Sequence, residues 1–181
     1  MATKLNSTAA AVALLGTLLY INTTGHQFVL DDETAVRDNP VVHRFDLVEI
    51  FLSDYWAGYH ADRAGLYRPL TVTTFAVNYA LGGNDARAYH LVNAILHGCV
   101  VLVVFCLIDQ ASRERRLATL GALIFAAHPV QTEAVAGLVG RADLLATLFA
   151  LLALQLQIRS RTRFSWGGGT AFIAALLCKE S

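Results

Sequence analysis

Three carboxylates, Asp31, Asp32 and Glu33, directly follow a stretch from Leu5 to Leu30 that contains no Asp, Glu, Lys or Arg. Crowded acids raise one another's pKa, so they are costly unless solvated or used. They fit either the wet end of a helix or a site that takes a proton from a substrate. Four further groups could serve an anion or a polar substrate: Arg68 in Tyr67-Arg68-Pro69-Leu70, Arg141 and Asp143 in Gly140-Arg141-Ala142-Asp143, and Lys179. An arginine offers a fork of donors to a phosphate. The bland alternatives are Arg68 snorkelling to headgroups, Arg141 and Asp143 pairing at a helix start, and Lys179 as an interfacial anchor.

His128-Pro129-Val130-Gln131-Thr132-Glu133 adds polar groups that solvation does not readily explain, and Glu180 follows Lys179. His90, Asn93 and His97 recur at i, i+3 and i+7, one helical face. Polar residues within a span are expensive; they line a substrate pocket or join helices by hydrogen bonds. Spacing fixes no third ligand beside the histidines, so no metal site is expected. Cys99, Cys106 and Cys178 lie in apolar stretches without zinc or disulfide spacing and are read as packing residues.

The elements that must position these groups are helices in a membrane. Of 181 residues, 55% are hydrophobic and 15% charged, against the ~25% charged residues usual in soluble domains. Net charge is zero, which gives no reason to expect a nucleic-acid partner. Apolar runs predict an all-α polytopic protein with about five spans, at 9–30, 89–108, 117–128, 144–158 and 166–178. The first is read as a retained helix and not a signal peptide, because no A-x-A-like cleavage site follows. Pro129 ends the third, and Gly167-Gly168-Gly169 opens the fifth. The outer loop 31–88 should carry an amphipathic surface helix over Phe45–Trp56, from the spacing of Leu47, Val48, Phe51 and Tyr55, and a helix from Leu70 to Leu81 behind Pro69.

Lys4, the Arg113-Arg115-Arg116 cluster and the Arg159-Arg161-Arg163 cluster fall on one side, the cytoplasmic one by the basic-loop rule, which makes the N-terminus cytoplasmic. Loops 31–88 and 129–143 then share the outer side. The acids and arginines collect at that one interface, which favours a surface cleft over a transporter or channel, whose sites lie near the midplane. A non-catalytic membrane anchor for an interaction domain is the third reading.

Leu30-Asp31-Asp32, Tyr67-Arg68-Pro69-Leu70-Thr71, Tyr89-His90-Leu91-Val92-Asn93, His128-Pro129-Val130-Gln131-Thr132-Glu133-Ala134-Val135, Gly140-Arg141-Ala142-Asp143 and Cys178-Lys179-Glu180 occur in this order. Jointly they resemble the N-terminal membrane half of the transmembrane and tetratricopeptide-repeat-containing (TMTC) family, over Phe28 to Ser181. The resemblance implies a GT-C-like glycosyltransferase that moves a sugar, mannose in that family, from a polyprenyl- or dolichyl-phosphate donor to Ser/Thr hydroxyls of an acceptor protein. It implies catalytic Asp31 and Asp32, with Asp31 as base and Asp32 orienting the acceptor or tuning its neighbour. Arg68, Arg141 and Lys179 would hold the donor phosphate, and His90, Asn93, His128, Glu133, Asp143 and Glu180 would line the substrate pocket. No cofactor or metal is implied, since the lipid-linked sugar is itself the donor. The membrane would be that of the endoplasmic reticulum in a eukaryote and the inner membrane in a bacterium. No ~34-residue repeat period is present, and the chain stops directly after an apolar segment. Both are expected of a piece lacking the family's later helices and repeats, a piece not expected to act alone.

Overall fold

The computed structural model describes residues 7–56, 65–160 and 164–180, all helix, turn and extended connection, with no β-strand among the described residues. Among the described residues nine α-helices follow in order: α1 (Ser7–Leu18), α2 (Pro40–Arg44), α3 (Leu47–Leu52), α4 (Pro69–Gly82), α5 (Ala86–Ser112), α6 (Arg115–Ala127), α7 (Gln131–Ala136), α8 (Arg141–Arg159) and α9 (Trp166–Cys178). Three segments among the described residues are long and apolar enough to cross a membrane: Ser7–Gly25, Ala86–Ser112 and Arg141–Arg159. The third and fifth expected spans form as α6 and α9, each 13 residues. At ~1.5 Å per residue they reach ~20 Å of a ~30 Å hydrocarbon core.

The long α5 is the axis of the bundle. Against it α1 lies so close that a Cβ on Gly98 would collide with Thr17 Oγ1 and the Ala13 carbonyl, while one on Gly16 would sit 3.0 Å from Val101 Cγ2. Small residues allow this kind of approach in membranes, where packing drives association. Ala118, Ala122 and Ala126 of α6, four apart and fully buried, close the same core with Ala9, Val12, Val101 and Phe105. At the end opposite the acids, Arg159 Nε donates to Gln110 Oε1 at 3.4 Å, which brings the ends of α5 and α8 together. Arg113, Arg115 and Arg159 thus gather at one end; Lys4, Arg161 and Arg163 lie outside the described residues.

The first span is not one continuous helix to residue 30. After Leu18 the chain tightens into a 3₁₀ turn, Ile21–Gly25, then runs extended. Thr23 Oγ1 donates to Tyr20 O and Thr24 Oγ1 to Ile21 O, each at 2.7 Å, hydroxyl competition for backbone acceptors that disfavours a continuing helix. Leu30, 87% exposed, then adopts φ +49°. This left-handed turn is uncommon for a bulky residue; after it Asp31 is exposed and Asp32 buried.

The segment between α1 and α5 forms a packed cap. Val36, Val42, Ile50 and Tyr55 form a core with Phe75 of α4, Tyr89 of α5 and Leu138. The surface helix expected over Phe45–Trp56 is limited to α3, capped by Asp46, whose carboxylate accepts from Val48 N and Glu49 N. Its Ile50 turns inward, whereas Leu47, Val48 and Leu52 stay exposed. The helix expected from Leu70 to Leu81 forms as α4, with Pro69 in its first turn. Buried Thr71 of α4 donates from Oγ1 to the Cys178 carbonyl at 2.8 Å, seating the end of α9 on α4.

Candidate active site

The two adjacent aspartates have opposite surroundings. Asp31 is exposed. Asp32 is 1% exposed, and its carboxylate accepts from Val139 N at 3.1 Å and Val29 N at 3.4 Å. It therefore ties the first outer segment to the loop between α7 and α8. Burial raises its pKa above the ordinary carboxylate value, outweighing the backbone donors of Val139 and Val29. The sign follows: an acid with a raised folded pKa contributes stability below its unfolded pKa, and this is lost as pH rises through the folded value. Asp32→Asn keeps one acceptor but aims an amide donor at a backbone N–H. We expect the wild type's stability advantage over Asp32→Asn to be largest at low pH and to shrink toward neutrality, as read by thermal unfolding of both across that range.

Beyond α9, two ion pairs meet at the same end of the molecule. Arg68 Nε and Nη2 donate to Glu180 Oε1 at 3.1 and 2.9 Å, and the Tyr67 amide donates to Glu180 Oε2 at 3.2 Å. Burial pushes the Glu180 carboxyl up, but the Arg68 hydrogen bond and charge win and hold it below its ordinary value. Lys179 Nζ lies 2.5 Å from Asp143 Oδ1, joining α9 to the first turn of α8. The Arg68 guanidinium also lies 5.0 Å over the Tyr55 ring.

These groups surround a cavity of about 460 Å³, with Asp31, Arg68, Glu133, Asp143 and Lys179 among its walls. The Asp31 carboxylate thus shares one cavity with two cations, each of which holds another carboxylate. Four lining residues with polar or aromatic side chains were not among the expected site residues: Tyr55, Trp56, Gln131 and Thr147. Thr147 was detectable as a lone hydroxyl one helical turn beyond Asp143 in an otherwise apolar run. Tyr55 reads from sequence as part of an interfacial helix, yet it is 1% exposed and its hydroxyl is pushed up by burial, so it stays neutral. Gly140 forms part of the wall; a Cβ there would collide with the Ala134 carbonyl.

Arg141 does not line this cavity. It is fully buried at the start of α8 and turned inward, where Nε donates to Asn93 Oδ1 at 2.8 Å and Nη2 to Asn78 Oδ1 and Tyr89 O, each at 3.0 Å. Its guanidinium also stacks 4.6 Å from the Phe75 ring centroid. With every edge engaged by uncharged acceptors, it is unavailable to a phosphate. Asn93 and His90, expected in the substrate pocket, are likewise absent from the cavity wall, because their face of α5 points into the bundle. Asn93 Nδ2 donates to Gly137 O at 3.1 Å, and buried His90 packs edge-on to His26. His97, equally buried, sits 3.2 Å from the Ala126 carbonyl between Tyr20 and Phe125. This face is packing, not a polar path. His128 is exposed but outside the cavity, and its Nδ1 accepts from Val130 N at 3.2 Å. No group of three or more metal-ligating side chains occurs among the described residues.

No family model matches the chain, and no solved structure does. It is similar to several curated proteins. Protein O-mannosyl-transferase Tmtc1 of Drosophila melanogaster is 39% identical over 180 residues, 95% of this chain and 21% of that protein. Protein O-mannosyl-transferase TMTC2 of Homo sapiens is 36% identical over 178 residues, 92% of this chain and 21% of that protein. Protein O-mannosyl-transferase TMTC1 of Homo sapiens is 41% identical over 165 residues, 88% of this chain and 19% of that protein. The chain spans about a fifth of the length of these curated relatives.

Proposed function

The chain belongs by sequence to the TMTC protein O-mannosyl-transferase family, and from that premise we propose that it forms part of a membrane enzyme moving mannose from a polyprenyl- or dolichyl-phosphate donor to Ser or Thr hydroxyls of an acceptor protein. The observation that carries this reading is that the Asp31 carboxylate, Arg68 and Lys179 line one cavity. In this reading the fold is GT-C-like, α6 and α9 complete five spans, and the cavity opens on the lumenal or periplasmic face, away from the N-terminus.

The chemistry suits these residues. A hydroxyl is a poor nucleophile, and a positioned carboxylate that accepts its proton contributes ~10²–10⁴-fold. Asp31, exposed in the cavity wall, takes that proton as the hydroxyl oxygen bonds to the anomeric carbon. The bond from that carbon to the phosphate oxygen breaks, and the configuration inverts. Negative charge grows on the leaving lipid phosphate, where Arg68 and Lys179 stabilise it. Each cation now holds a carboxylate, so the incoming phosphate exchanges with Glu180 and Asp143 instead of meeting bare charge. Asp32 has the supporting role of fixing the cavity wall at Val139. Of the pocket residues expected from sequence, Glu133, Asp143 and Glu180 remain as groups at or beside the cavity.

The test is a transfer assay on the full-length parent in nanodiscs with polyprenyl-phosphate mannose and a Ser/Thr peptide. Arg68→Gln and Lys179→Gln should each raise the donor KM about tenfold or more, the worth of one charge-assisted hydrogen bond of ~1.5–3 kcal/mol. Acceptor KM should change little. Unaltered donor KM in both variants overturns the phosphate assignment.

A further inference from the structure

Tyr55 and Trp56 line the cavity together with Arg68, and the reaction described above uses neither. Tyr55 belongs to the cap's core with Ile50 and Phe75, and its amide donates to Leu66 O at 2.8 Å. The Arg68 guanidinium lies over its ring. Yet the Tyr55 hydroxyl oxygen is buried and has no hydrogen-bond partner among the described residues. A buried tyrosine hydroxyl ordinarily has one, and each exception in a folded protein calls for a cause. Trp56 is fixed next to it. Its amide donates to Asp54 Oδ1 at 2.9 Å, and its ring stands edge-on to Tyr55 with centroids 5.0 Å apart. The indole is only partly covered. We propose that Tyr55 and Trp56 form the sugar subsite of the cavity, the indole packing on the C–H face of the transferred hexose and the Tyr55 hydroxyl donating to one of its oxygens.

The chemistry of a hexose fits this pair. It is uncharged, with apolar C–H faces and a rim of hydroxyls, so aromatic faces and neutral hydrogen bonds hold it. Burial raises the pKa of the Tyr55 phenol and keeps it a donor. Position agrees: a hexose bonded directly to a phosphate at Arg68 must lie beside that guanidinium, and the Tyr55 ring is against it. The hydroxyl is closed off while Glu180 holds Arg68 over the ring. Exchange of Glu180 for the donor phosphate frees Arg68 to shift and the tyrosine with it, so phosphate binding opens the sugar contact. Both aromatic side chains are otherwise held by their own segment before a ligand arrives, so little ordering is lost on binding.

This inference rests on the glycosyltransferase reading, and the experiment separates the two. The full-length parent in nanodiscs is titrated with polyprenyl-phosphate mannose and, separately, with sugar-free polyprenyl phosphate. Tyr55→Phe deletes the hydroxyl alone. It should weaken binding of the mannosyl donor about fivefold, the worth of one neutral hydrogen bond, and leave polyprenyl phosphate unchanged. Its unfolding midpoint should equal or exceed that of the wild type, because an unpaired buried group is gone; the lost affinity then has no origin in a weakened fold. Trp56→Leu should weaken the mannosyl donor by a similar factor, whereas Trp56→Phe, which keeps a ring face, should retain most of the affinity. Unaltered mannosyl-donor binding in both Tyr55→Phe and Trp56→Leu overturns the subsite. Equal loss of both ligands does so too, since it marks a disturbed phosphate site. A raised acceptor KM with unaltered donor binding also overturns it, by moving the pair to the acceptor. Wild-type protein that binds neither lipid sinks the glycosyltransferase reading itself, and the subsite with it.

Discussion

Asp31→Asn is expected to lower kcat for sugar transfer by ~10²–10⁴-fold, the usual worth of a positioned general base. The side chain keeps its size and loses its ability to take a proton. Asp31 is exposed, and no hydrogen bond or ion pair to it occurs among the described residues, so the fold should not register the change. Donor KM should stay near the wild-type value, because the cations of the cavity are untouched. The contrast lies one residue away. Asp32→Asn disturbs two backbone amides that join separate outer segments, so its first effect should be on unfolding and its effect on transfer should follow from that. Wild-type turnover by Asp31→Asn would remove the base from the proposal. Abolished turnover by Asp32→Asn with unaltered unfolding would exchange the two roles.

That division of labour marks how far the sequence could be read. Adjacent aspartates after an uncharged run fit the wet end of a helix as well as a site, and their different surroundings go with Leu30 at φ +49° and with the Val139 amide, more than a hundred residues later. Neither has a local signature. The helices expected at 89–108, 117–128, 144–158 and 166–178 were legible because apolar periodicity is a local property: α5, α6, α8 and α9 form within a few residues of their expected ends. The early end of α1 was legible in principle, from the threonines at 23 and 24, which bond backward to carbonyls. Lys179 shows the opposite case. Alone at the end of an apolar helix it looks like an anchor; its partner Asp143 lies on another helix, and the two line the cavity together. The surface helix was overextended because Tyr55 fits the amphipathic pattern while belonging to the cap's core.

Arg141 is where local reading failed most, and it gives the second large expected effect. Gly-Arg-Ala-Asp at a helix start looks like a phosphate fork, yet α4 and α5 wrap the side chain completely. No carboxylate pairs with it among the described residues. Its charge is held by Asn78, Asn93 and the Tyr89 carbonyl, with the Thr74 carbonyl at 3.4 Å, between the rings of Phe75 and Tyr89. Burying a cation is costly, so removing it returns some desolvation energy. Against this, Arg141→Met strands buried acceptors at ~1–3 kcal/mol each. The acceptors outnumber the one charge, so net destabilisation of roughly 2–4 kcal/mol is expected, read as a lower unfolding midpoint in detergent. Arg141→Lys decides between charge and geometry. A lysine keeps the charge but presents its donors from one point, too compact to span Asn78 and Asn93 together. It should therefore destabilise nearly as much as Met, and loosen the Gly137 loop that Asn93 holds at the cavity wall. If Arg141 instead met the donor phosphate, Arg141→Lys would unfold like wild type and show only a raised donor KM. Opposite results in unfolding and in KM thus separate a residue that builds the site from one that touches the substrate.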